Sequence, residues 1–133
     1  MKKILLLLLL STVSFAQNVN RKYISHTWKN NVLEIKTSDG NYLIKPYSDK
    51  VIETSFIPND ETFNPNSEAV IKIPEKKKYK FSEGKNNLQL TTNAISVSVE
   101  KSPFKISYIK KGKPFFSEKT GFIKKNDSTQ ILQ

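Results

Sequence analysis

Short runs of alternating apolar and polar residues follow one another along most of the chain. In VLEIKT, Leu33 and Ile35 alternate with Glu34 and Lys36, so the two pairs are expected on opposite faces of a strand. Similar runs are YISHTWK, NYLIKPY, VIETSFI, AVIKI, NLQLTT, AISVSVE and FKISYIK. No segment after the first 17 residues has a sustained helical period. The pattern predicts an all-β fold, an antiparallel β-sandwich.

Turn residues separate these runs. Asn30-Asn31 follows the first run, and Lys111-Gly112-Lys113 follows the run that ends at Lys110. Asp39-Gly40 predicts a hairpin, because a tight turn needs positive φ values and glycine adopts them readily. Pro46 lacks the N–H that a ladder needs, so its strand is predicted to lie at a sheet edge or to end there.

Two runs near the end of the pattern define the expected core most clearly. In the first of these strands, Ile95, Val97 and Val99 are predicted on one face, with Ser96, Ser98 and Glu100 on the opposite face. A second strand is predicted to bury Phe104, Ile106 and Tyr108. An earlier run places Ile52, Thr54 and Phe56 on one face in the same way.

The chain opens with two lysines, an apolar run and Ser14-Phe15-Ala16, the pattern of a secretory signal peptide over residues 1–16. A helix over this run is too short to span a membrane, so no stable membrane anchor is expected. Gln17 is then the first mature residue, and 17–133 forms one domain. We expect the protein to be exported, with periplasm and full secretion both open.

The last residues predict another strand, from Ser128 to Leu132, and the given sequence stops one residue later. A strand at the very end of a chain leaves an open edge, which domains usually protect. The expectation is therefore a sandwich that is incomplete, from a chain cut short.

Composition narrows the chemistry. The chain has 133 residues, no cysteine and one histidine, which excludes thiolate zinc sites and thiol nucleophiles. No phosphate loop, dinucleotide motif or cluster of metal ligands is present, so no cofactor is predicted. The net charge is +10, or 10 − 2 = +8 after removal of Lys2 and Lys3. Because Arg21 is the only arginine and export is expected, nucleic acid is not the predicted partner.

Few residues suggest a site. Asp60-Glu61 is the only adjacent acidic pair, and it is either a pair of glycosidase carboxylates or a solvated turn, the interpretation that its surroundings favour. His26 and Trp28 lie two residues apart on one predicted face. They are interpreted as half-buried packing residues, with a sugar platform as the alternative.

Two further motifs have ordinary explanations. EKKKYKF is the densest basic run, and it is interpreted as a solvated turn followed by a protected edge strand. Asn126-Asp127-Ser128 fits the glycosylation acceptor pattern, which is frequent by chance.

The order of these motifs resembles the N-terminal region of glycoside hydrolase family 31, the family of α-glucosidases and α-xylosidases. The resemblance runs from about Val32 to Glu118. It rests on the Ile95–Val99 strand, the Pro103-Phe104 step, the Ile106–Ile109 strand and the glycine turn that follows.

The resemblance implies a galactose-mutarotase-like sandwich that precedes a catalytic (β/α)8 barrel of the same polypeptide. The catalytic aspartates of the family lie in that barrel, so no catalytic residue is assigned here and no activity is expected of the chain alone. Its partners would be the barrel and, through the parent enzyme, carbohydrate. The alternative is a free-standing exported carbohydrate-binding or adhesion sandwich that displays an exposed aromatic row. The candidates for that row are Trp28, Tyr42, Tyr47 and Phe63.

Overall fold

Two antiparallel sheets form a β-sandwich, which confirms the predicted fold class. The computed structural model describes residues 21–63, 73–118, 122–125 and 128–131, and these contain no helix. The first sheet has the order β1 (Tyr23–Lys29), β2 (Val32–Thr37), β3 (Gly40–Ser48), β4 (Val51–Pro58). The second has the order β5 (Lys80–Glu83), β6 (Asn87–Thr91), β7 (Ser96–Lys101), β8 (Phe104–Lys110), β9 (Lys113–Glu118). A separate hairpin consists of β10 (Phe122–Lys125) and β11 (Ser128–Ile131).

The core lies between the two sheets, on the faces that alternation predicts. Leu33 and Ile35 of β2 have no exposed surface, and the same holds for Val97 and Val99 of β7. Glu34 and Lys36 are exposed. The buried cluster draws side chains from both sheets: Leu33, Ile35, Tyr42, Ile44, Tyr79, Leu88, Leu90, Val97, Val99, Ile106 and Tyr108. Burial of these apolar surfaces is the main term that holds the sheets together.

The turn between β1 and β2 is the predicted one. Asn30 and Asn31 have φ values of 52° and 61°, the left-handed region that asparagine tolerates better than most residues. Asn31 also donates from Nδ2 to the Lys77 carbonyl at 2.5 Å, and its Oδ1 accepts from the Tyr79 N–H at 3.3 Å. This side chain thus fastens the first hairpin to the segment that enters the second sheet.

The turn between β2 and β3 differs from the prediction. Ser38 and Asp39 form the turn, while Gly40 is already the first residue of β3, pairs with Thr37 and does not have a positive φ. Gly40 is needed for space: a Cβ there would lie 2.4 Å from the Ile57 carbonyl oxygen and 2.6 Å from the Phe56 ring.

Gly40→Ala is therefore expected to destabilise the fold by about 1–3 kcal/mol, because backbone and a packed ring must move. Gly84→Ala is the matched control. A Cβ at Gly84 would meet only the Asn87 side-chain oxygen closely, at 2.3 Å, and that amide can rotate away. Urea unfolding of both variants checks the difference, and equal midpoints would contradict the steric explanation.

Pro46 does not place β3 at an edge, so that prediction is wrong. β3 lies between β2 and β4, and it continues through Pro46 to Ser48. The physical reason is register: β2 pairs with β3 only as far as Leu33 with Ile44, so Pro46 lies beyond the end of β2. Its partner is Ile52 of β4, next to an irregularity in the ladder.

Several predictions fall outside the described residues. These are the signal peptide over 1–16, Gln17, the Asn126-Asp127 part of the glycosylation pattern, and the first four residues of the AVIKI run. The last residue of that run, Ile73, is described; it belongs to no strand and is 84% exposed. The predicted terminal strand is present as β11, and β10 is its partner.

Among the described residues, no helix is long and apolar enough to cross a membrane.

Candidate functional site

Asp60 and Glu61 occupy the turn after β4, and both are exposed. The Glu61 N–H donates to the Pro58 carbonyl at 3.1 Å, which closes this turn. The interpretation as a surface turn is confirmed.

His26 and Trp28 share a face of β1, as predicted, and that face packs against β5. The His26 Nδ1 is 2.7 Å from the Tyr23 hydroxyl, and its ring centre is 5.5 Å from that of Phe81. The Trp28 ring is stacked on Phe81 at 5.4 Å with an interplanar angle of 18°. Phe81 therefore occupies the ring face that a sugar platform would need to offer, which supports the packing interpretation.

The other aromatic candidates do not complete an exposed row. Tyr42 is 2% exposed and Tyr47 is 9% exposed, whereas Phe63 is 43% exposed. Burial raises the pKa of the Tyr42 phenol, so this hydroxyl stays neutral. Tyr42 thus belongs to the core cluster between the sheets, and Tyr47 is buried outside that cluster, with the Lys45 ammonium 4.9 Å from the centre of its ring.

The basic run EKKKYKF is only partly a solvated turn. Lys76 and Lys78 are exposed, but the Lys77 Nζ bonds both Asp49 carboxylate oxygens, at 2.8 and 2.6 Å, and Tyr79 is buried in the core. The hydrogen bond to Asp49 is the main cause that raises the pKa of Lys77. The segment is a connection between the sheets that alternates exposed and anchored residues.

The two sheets are offset across the sandwich. β1 lies opposite β5, since Trp28 stacks on Phe81. β4 lies opposite β8, since the hydroxyls of Thr54 and Tyr108 are hydrogen-bonded to each other. β9 is the next strand after β8, so its Phe115–Phe116 part extends past β4 among the described strands, whereas Glu118 at its other end is close enough to Tyr42 of β3 to interact electrostatically.

A β-bulge on β9 places two phenylalanines beside this overhang. Tyr108 pairs with Phe116 and Ile109 pairs with Pro114, which leaves Phe115 as the extra residue. In regular alternation these neighbours would point to opposite faces, but both line the same groove. Phe115 is 59% exposed and Phe116 is 49% exposed.

The groove has a volume of about 770 Å³ and runs between β4 and β9. It is lined by Lys50, Val51, Ile52, Thr54, Ile95, Tyr108, Lys110, Phe115 and Phe116. Apolar side chains dominate the described lining, and its two charged residues are both lysines. Burial raises the pKa of Tyr108 to about 12, so its hydroxyl remains neutral and bonded to Thr54. We refer to this lining as the β4–β9 groove.

Sequence reasoning missed this groove, although a signal was present. The adjacent pair Phe115-Phe116 cannot bury both rings on one face of a regular strand. Adjacent large rings on a strand next to a glycine turn therefore indicate a bulge or an uncovered edge.

A second cluster that sequence reasoning missed surrounds Arg21, which is 8% exposed. Its Nε and a terminal nitrogen donate to the Asp39 carboxylate at 2.8 and 2.7 Å, and the other terminal nitrogen donates to the Tyr42 hydroxyl. The guanidinium carbon lies 4.4 Å from the centre of the Phe56 ring. We call these four residues the Arg21 clamp; it joins the start of the described chain to β3, β4 and the β2–β3 turn.

The charges of the Arg21 clamp balance each other. Burial raises the pKa of Asp39, but the hydrogen bond and charge of Arg21 outweigh this effect and hold that pKa below its usual value. Burial also raises the pKa of Glu118 at the end of β9, and the charge of Arg21 opposes that rise. Within the described ranges, no three His, Asp or Glu side chains come together as metal ligands would.

The chain shares its fold with part of a solved enzyme. It aligns with the family GH31 dextranase of Flavobacterium johnsoniae complexed with glucose, with a TM-score of 0.70 and 20% identity. A mutant of that dextranase complexed with isomaltotriose aligns equally well. Each alignment covers 83% of this chain and 14% of the dextranase chain. No protein-family profile and no curated protein matches the sequence.

The alignment confirms the resemblance at the level of the fold. This chain spans about one seventh of the dextranase, so it corresponds to a small part of that molecule. The β4–β9 groove and the Arg21 clamp are features of this part.

Proposed function

We propose that the chain is the non-catalytic N-terminal β-sandwich of an exported family 31 glycoside hydrolase of the α-glucosidase or α-xylosidase type. In this role it is a scaffold that supports the carbohydrate site of a catalytic barrel in the same polypeptide. The observation that carries the proposal is the alignment of 83% of this chain with 14% of a GH31 dextranase. The signal-peptide pattern at the start supports export and an N-terminal position.

The state of the carboxylates supports a non-catalytic role. Glycosidases place two carboxylates about 5–10 Å apart around an accessible scissile bond. Here Asp39 is bound to Arg21, Asp49 to Lys77, and Glu83 to Lys101 at 2.6 Å. Each of these three acids is paired with a basic side chain rather than with a second carboxylate.

The purified chain is expected to show no hydrolysis of aryl α-glucosides or α-xylosides above a control without protein.

Genomic DNA beyond the Gln133 codon should continue in frame into a barrel sequence. A stop codon at that point in a well-assembled genome would contradict the proposal and favour the free-standing sandwich. Turnover that disappears in Asp60→Asn with Glu61→Gln would also contradict it, because it would make the exposed pair catalytic.

A further inference from the structure

We propose that the β4–β9 groove receives one further β-strand, which pairs with the free edge of β4 and packs apolar side chains on Phe115 and Phe116. The inference rests on the proposed function for the source of this strand, which is the rest of the same polypeptide. The groove itself is defined by described residues alone.

The offset of the sheets indicates where the strand belongs. Among the described strands, four of the first sheet face five of the second, and the contacts of β1 with β5 and of β4 with β8 leave the Phe115–Phe116 part of β9 uncovered. Phe116 pairs with the buried Tyr108 and its ring lies 5.5 Å from the Tyr108 ring, so it points to the inner side of the sandwich. An inner-face phenylalanine that is 49% exposed lacks the layer that would normally cover it. A fifth strand beside β4 would supply that layer.

The edge of β4 provides the backbone groups for such a strand. Within the described part of the chain, β4 is bonded to β3 on one side and to no strand on the other. An unpaired edge next to apolar surface is a template for an added strand. β4 is eight residues long, Val51–Pro58, which is enough for a stable addition.

The lining specifies the chemistry of the occupant. The apolar side chains Val51, Ile52 and Phe116 suit a strand with an apolar residue at every second position. Lys50 and Lys110 also line the groove, and none of the described lining residues carries a carboxylate. A strand with an acidic residue at its end would therefore complement the charge.

Other occupants fit less well. The hydroxyls of Thr54 and Tyr108 bond each other, so the groove offers few hydrogen-bonding groups to an oligosaccharide. A second copy that offered the same groove would contribute further lysines, Lys50 and Lys110, and not the acidic group that would complement them.

The experiment is a titration of the purified full-length chain with a nine-residue peptide in which valine and threonine alternate between terminal glutamates. Binding should protect β4 amides from hydrogen exchange and shift the NMR signals of Phe115 and Phe116. Phe116→Ala should weaken binding about tenfold, the effect of losing roughly 1.4 kcal/mol of apolar contact. Phe63→Ala is the control with matched exposure outside the groove, and its affinity should be unchanged. Val51→Ala is a second groove variant, expected to weaken binding in the same direction.

Three outcomes would overturn the inference. The first is that a peptide with a central proline binds as tightly as the original peptide. The second is that the NMR signals of the groove residues respond to isomaltotriose and not to the peptide, and the third is that the chain self-associates and Phe116→Ala abolishes this self-association. Replacement of the peptide glutamates by lysines should weaken binding, and no change would refute the charge argument. The reading frame beyond Gln133 tests the proposed function separately. A barrel sequence there, combined with no peptide binding, would refute the added strand but not the proposed function. A stop codon, combined with peptide binding, would refute the rest of the polypeptide as the source of the strand but not the groove.

Discussion

Val97→Asp is expected to unfold the sandwich at much lower urea concentration than any surface substitution. Val97 has no exposed surface and lies in the core cluster between the sheets. The variant loses the burial of the valine and places an unpaired carboxylate there, a loss of about 4–5 kcal/mol or more. Since small domains are stable by about 5–15 kcal/mol, this loss removes a large share of the free energy of unfolding.

Ser98→Asp is the matched control for this strand. Ser98 is adjacent but faces the other side of β7, where it pairs with Gln89 and Ser107. It is only half-buried, so a carboxylate there keeps contact with water and should cost far less than at position 97. Urea midpoints that fall equally would contradict the assigned faces, and a reversed order would mean a register shifted by one residue.

Arg21→Gln is expected to cost about 2–4 kcal/mol in the free energy of unfolding. The substitution leaves the Asp39 carboxylate, which is 35% exposed, without its bidentate partner and removes the contact with Phe56. Breaking a fully buried ion pair costs about 3–5 kcal/mol, and water at Asp39 reduces this figure. Lys101→Gln is the control, since its partner Glu83 is 49% exposed and such pairs contribute at most about 1 kcal/mol.

The contribution of the Arg21 clamp should depend on pH in a defined direction. Because the folded-state pKa of Asp39 is lowered, its stabilisation is present above the unfolded pKa of about 4 and is lost as the pH falls through the folded value. The gap in unfolding free energy between the parent chain and Arg21→Gln should therefore be constant near pH 7 and shrink below about pH 4. A gap that persists undiminished in acid would show that packing on Phe56 dominates over charge.

Alternation in the sequence was enough to predict most of the fold. The faces of β2 and β7 are correct because strand side chains alternate strictly, as Leu33, Ile35, Val97 and Val99 show. The turn at Asn30-Asn31 is correct because few residue types accept positive φ twice in succession.

The errors have a common cause, which is that each depends on a neighbour distant in sequence. Gly40 is required by the approach of Ile57 and Phe56, not by its own turn. Pro46 is accommodated because the pairing of β2 with β3 extends only to Leu33 with Ile44, two residues short of Pro46. The β4–β9 groove was missed because it depends on how one sheet is offset from the other, which no local pattern encodes.

The connectivity of the sheets has a consequence for the order of folding. Every pairing in β1–β4 and in β5–β9 joins strands that are consecutive in the chain. Each sheet can therefore zip hairpin by hairpin, with short loops to close and a low contact order for a β protein. Contacts such as Thr54 with Tyr108, 54 residues apart, form only when the two finished meanders dock. The slow step should then be a collision between two largely formed sheets, and the apolar faces of both are open to solvent until it occurs.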